Sequence, residues 1–103
     1  DIVGGAATQN TAIGHNAGQN ILTSDDTVII GHGAGDTVTA GEKSVIIGSD
    51  ADASGANVHN EIVIGYDCQG QGTNTVTLGD ETVTAVYMSQ DAGATVEQRE
   101  RKS

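Results

Sequence analysis

One glycine recurs along this chain at a fixed interval: Gly14, Gly31, Gly48 and Gly65 stand seventeen residues apart, and Gly79 follows after fourteen. Each closes a short apolar run, Thr11–Ile13, Val28–Ile30, Val45–Ile47, Ile62–Ile64 and Val76–Leu78. A fixed period with matched neighbours marks a repeat architecture, in which each copy hides its apolar face only by stacking on the next. The runs are short, rich in β-branched residues and bounded by Gly, Asn or Asp, which favours strand over helix. The spacing therefore predicts an all-β chain, a parallel β-solenoid of about five rungs.

Three columns run through those rungs. Just before the glycine stand Ile13, Ile30, Ile47, Ile64 and Leu78, and two places earlier stand Thr11, Val28, Val45, Ile62 and Val76. Between them lie Ala12, Ile29, Ile46, Val63 and Thr77. Side chains alternate across a strand, so the first two columns share one face and the third occupies the other. Both faces are apolar in the middle rungs, and a strand of that kind needs cover on both sides. The more heavily apolar face, with Ile13, Val28, Ile30, Val45, Ile47, Ile62, Ile64, Val76 and Leu78, is predicted to fill the solenoid core. The other, with Ala12, Ile29, Ile46 and Val63, is predicted to meet partner copies in a homotrimer. Gly14, Gly31, Gly48, Gly65 and Gly79 then turn the chain, since glycine takes positive φ without steric penalty.

Beyond each glycine comes a small column, Ala17, Ala34, Ala51, Cys68 and Thr82, suited to a narrow inner corner. Weaker apolar marks at Ile21, Val38, Val58 and Val86 predict a second, outer strand. The division expected is a partial first rung over 1–9, repeats over 10–82, an exit strand over 83–90, and a polar tail over 91–103 that is disordered or opens a coiled coil. The chain begins inside a partial repeat, which reads as a piece of a longer protein.

Composition narrows the function. There is no Phe, Trp or Pro and there are only two Tyr, so an ordinary core of large side chains is not on offer; burial must come from tight layers of Val, Ile and Ala. Net charge is −10, and residues 1–90 hold eleven acids against the single base Lys43. Phosphate neutralisation needs Lys and Arg, so nucleic acid is excluded as a partner. No stretch is long and apolar enough to insert in a bilayer. The single Cys68 rules out an internal disulfide.

The stretch Asn10–Gly18 and its copies resemble the head repeats of trimeric autotransporter (YadA-like) adhesins. They are still more similar to repeats in phage tail fibres, where such rungs precede a strand like Asn74–Tyr87. The resemblance covers Asn10 to about Met88. It implies a left-handed parallel β-roll in a tight trimer, and a role in adhesion or fibre construction on a virion or cell surface. Rungs of seventeen residues, longer than the adhesin turn, place the phage fibre ahead of the bacterial adhesin head. Contact with a host-surface receptor or glycan would use the polar turns.

Few residues suggest chemistry. His15 and His32 occupy equivalent places after their glycines, a column continued by Ser49, Tyr66 and Asp80. Stacked one rung apart they are candidates for a metal site; the alternative is a turn position that tolerates polar residues. Asp25, Asp26, Asp36, Asp50, Asp52 and Asp67 could supply oxygen ligands to calcium, but the nonapeptide pattern of calcium-bound β-rolls is missing. A polysaccharide-degrading phage spike would use paired carboxylates, yet there is no long insertion to wall a cleft and little aromatic surface to stack a sugar. Neither a catalytic residue nor a cofactor is expected.

Overall fold

The computed structural model describes residues 7–98. The partial first rung predicted over 1–9 falls mostly outside them; within it, Thr8 forms an isolated parallel bridge with Asp25. Five strands follow, β1 (Thr11–Ile13), β2 (Val28–Ile30), β3 (Val45–Ile47), β4 (Ile62–Ile64) and β5 (Val76–Leu78). They form one parallel sheet in sequence order. The register is the repeat itself, with Ala12 beside Ile29, Ile29 beside Ile46, Ile46 beside Val63, and Val63 beside Thr77. The chain is thus a β-solenoid, and no helix occurs among the described residues.

The corners explain why the chain coils. All five predicted turn glycines have positive φ, from +84° at Gly79 to +142° at Gly65. Two further columns also take left-handed conformations: Asn16, Gly33, Asp50 and Asp67 after the strand, and Gln9, Asp26, Lys43, Asn60 and Asn74 before it. Asn, Asp and Gly tolerate that region, so most of these corners form at little cost; Gln9 and Lys43 are held in it by the rungs around them. Backbone hydrogen bonds then tie each corner to the next rung, as from Gly18 N to Ala34 O (2.9 Å), Gly35 N to Ala51 O (2.8 Å) and Asp52 N to Cys68 O (2.9 Å).

Burial reverses the predicted assignment of the two strand faces. Ile29, Ile46 and Val63 are fully enclosed within the coil, and Ala12 packs against them. They are the solenoid core and not the trimer interface, because their own chain already surrounds them. The columns assigned to the core, Ile13, Val28, Ile30, Val45, Ile47, Ile62, Ile64, Val76 and Leu78, point outward and are half-buried or exposed. The physical reason lies two residues before the central column, where Thr27, Ser44 and Glu61 also face inward and are buried. The inner face carries polar groups, so it looks the less apolar of the two in sequence. Those groups are satisfied locally: Thr27 Oγ1 donates to Asp25 O (3.1 Å) and Ser44 Oγ to Glu42 O (3.3 Å).

Opposite the strands, the core is completed by Ala17, Ala34, Ala51 and Cys68 at the small corner and by Ile21, Val38 and Ala53. Thr82, placed in that small column, is exposed. The side containing Ile21 and Val38 is laddered by hydrogen bonds such as Leu22 N to Thr39 O (2.9 Å) and Thr39 N to Ala56 O (3.0 Å), but no second strand is assigned there. Nor is one assigned over 83–90: Val83, Val86, Tyr87 and Met88 are exposed, and β5 is the last strand among the described residues. A strand needs a ladder partner, and this segment does not pair with the outer edge of β5.

The shortened last rung depends on Glu61. Its carboxylate, fully buried, accepts hydrogen bonds from Ser54 N (3.0 Å) and Gly72 N (2.8 Å), and Gly70 leaves room for it. A side chain thereby bridges a loop that is three residues shorter than its predecessors. Glu61→Ala is expected to lower unfolding free energy by about 2–3 kcal/mol, since two part-buried N–H groups lose their acceptor and the enclosed side chain leaves a void. Urea denaturation followed by circular dichroism measures it.

Candidate functional site

Two columns of branched side chains run side by side along the outside of the sheet. Strand alternation places them there, and the rung register aligns Thr11 with Val28, Val45, Ile62 and Val76, and Ile13 with Ile30, Ile47, Ile64 and Leu78. The outward side chains of β2 and β3 are partly buried, and exposure rises toward the ends of the sheet: 57% at Ile13, 39% at Ile64, 62% at Val76 and 47% at Leu78. The result is one continuous apolar strip along the rod; other exposed apolar side chains, such as Leu22 and Val83, lie outside it. Isolated exposed apolar residues are ordinary on a soluble protein, whereas a contiguous patch marks an interaction surface.

The histidine column lies just past the glycine corner of the same rungs. His15 and His32 stack, their ring centroids 5.4 Å apart and their planes within 9°. The backbone holds them in that relation through Gly31 N to Ile13 O (2.8 Å) on one side and Gly33 N to His15 O (2.9 Å) on the other. His59 lies apart, its Nδ1 accepting from Glu42 N (3.2 Å).

At the end of the coil an open hollow of about 660 Å³ is lined by Asp67, Gln69, Gln71, Thr77, Gly79, Asp80, Glu81 and Thr82. It lies where the inner column reaches Thr77, with no rung stacked on β5 among the described residues. Thr82 donates to Asp80 Oδ1 from both its hydroxyl (2.6 Å) and its N–H (2.9 Å), and these bonds hold the Asp80 carboxyl below the usual range. Below the hollow, burial pushes the Cys68 thiol up, against the partial effect of its hydrogen bond to Gly79 O (2.9 Å); nearby Asp80 pushes it the same way as burial. A raised thiol pKa disfavours the thiolate, so Cys68 reads as a small core residue rather than a nucleophile.

The acids considered for calcium are spread along the rungs, and three of the six carboxylates are engaged with a neighbouring rung. Asp25 accepts from Thr8 N, Asp36 from Gln19 and Asn20, and Asp52 from Thr37 N. Among the described residues no group of three or more His, Cys, Asp or Glu is placed to hold a metal ion. No helix of the described chain is long and apolar enough to cross a membrane.

Compared with known proteins, the chain matches no family model, no curated protein and no solved structure. The functional reading rests on the site itself. Glu61 was missed by sequence reasoning; the signal available was an acid at a strand-flanking position where the other rungs carry Asn10, Thr27, Ser44 and Thr75.

Proposed function

We propose that this chain is a structural or attachment segment of a homotrimeric fibre, in which three copies bury their outward strand faces against one another. The observation that carries this reading is the uninterrupted apolar strip formed by the two outward columns, from Ile13 to Leu78. Hydrophobic burial is the principal favourable contribution to protein association, and a strip of branched residues with a fixed rung spacing suits a repeated, self-complementary contact. The number of copies and the setting, a phage tail fibre on a virion in preference to a bacterial adhesin head, come from the resemblance of the repeats. The role is mechanical: rungs stacked in register make a stiff spacer, and the acidic turns keep it soluble and free for contact with a host receptor or glycan.

The solution mass of the protein, measured by light scattering or sedimentation, is expected to be three times that of one chain. Ile47→Asp places a charge in the middle of the outward face without entering the coil. It is expected to shift the mass to that of a single chain while the circular dichroism spectrum of β-structure persists. A wild-type chain that is folded and monomeric at micromolar concentration would refute the proposal.

A further inference from the structure

We propose that His15 and His32 form a two-imidazole chelate for a divalent cation of the Zn2+ type on the outside of the coil. The inference stands on one chain and does not depend on how many copies assemble. Its first support is distance. Two imidazoles bound to one tetrahedral ion, each nitrogen about 2.0–2.1 Å from the metal, hold their ring centres about 5.2 Å apart. The ring centroids of His15 and His32 are 5.4 Å apart. Only the planes must change: parallel rings have to tilt until one nitrogen of each points at a common ion. Both side chains are exposed, and exposed side chains change rotamer readily.

The second support is that the spacing is imposed by the fold. The residues flanking each histidine are locked to the adjacent rung by Gly31 N to Ile13 O and Gly33 N to His15 O. The backbone therefore holds the main chain of the two histidines at a fixed separation before any ion arrives, which leaves only side-chain rotation to be ordered on binding. Third, residues 1–90 carry eleven acids and one base, so the surrounding field concentrates cations. With two protein ligands, water completes the coordination, and the site is an exchangeable one rather than a closed structural centre.

The test is a calorimetric titration of the tag-free, metal-stripped chain with Zn2+, paired with NMR of the histidine rings. One saturable Zn2+ per chain is expected at roughly 0.1 mM metal or below. The ring resonances of His15 and His32 should shift together and those of His59 should stay. His15→Asn and His32→Asn should each weaken the site at least tenfold, and His59→Asn should leave it within about twofold. Saturation without movement of both His15 and His32 resonances, or undiminished binding by either variant, would overturn the assignment; so would the absence of saturable binding. Because the NMR arm uses the unaltered chain, the outcome is decided even if a variant folds poorly.

Discussion

Ile46→Asp is expected to unfold the chain. The Ile46 side chain is completely enclosed, with Ile29 and Val63 in the rungs on either side. An aspartate there would lose the roughly 1.5–3 kcal/mol that burying an isoleucine side chain contributes, and would also leave a carboxylate with no cationic partner in a small apolar interior. Burying such a charge unpaired costs several kcal/mol more, a large share of the 5–15 kcal/mol that stabilises a typical domain. Because each rung supports only its neighbours, a failed third rung also removes the template for the rungs above and below it. Circular dichroism at 25 °C should show loss of β-structure. The comparison with Ile47→Asp, one residue along and facing outward, is the sharper measurement: the same charge change should leave the fold intact. If both variants retained the wild-type spectrum, the inward assignment of the central column would be wrong.

Gly31→Ala is expected to be nearly as damaging, through the backbone rather than the core. A Cβ at Gly31 would sit 2.5 Å from Gly48 O and 2.6 Å from Gly48 C, and φ there is +134°. The obstructing atoms are backbone of the next rung, which cannot swing aside as a flexible side chain would. A strained left-handed conformation alone costs about 1–3 kcal/mol, and forcing two rungs apart adds to it; about 4–5 kcal/mol in total is expected. Gly72 separates the two contributions. Its φ is +137°, but a Cβ there would meet nothing within 4 Å. Gly72→Ala should therefore show the conformational cost alone. Thermal melts of the pair measure the difference, and equal losses would mean that close stacking of the glycine corners does not matter.

Much of the architecture was legible because a stacked repeat writes its register into its spacing. Residues seventeen apart, such as Ile29 and Ile46, became ladder neighbours, and the fourteen-residue step from Val63 to Thr77 did the same. Gly31 and its equivalents were readable as corners because few other residues accept that φ. The candidate face was less legible. Alternation separated Ile46 from Val45 and Ile47, but it says nothing about which side is interior. Ranking the faces by apolar content pointed the wrong way, because Ser44 and Glu61 share the inner side with Ile46 and Val63 and satisfy their polar atoms within the coil. The exit strand expected over 83–90 is not assigned: strand-like residues make a strand only where a ladder engages them, and nothing among the described residues pairs with the outer edge of β5.

From sequence alone, then, the repeat period determined the parallel stacking, the strand positions, the register and the glycine corners, since each is a local property copied from rung to rung. The direction in which each strand face points was decided by the closed coil. It depends on which corner atoms lie close enough to cover a side chain, and on where buried Ser44 and Glu61 find hydrogen-bond partners, and both are set by contacts between residues brought together only when the turn closes.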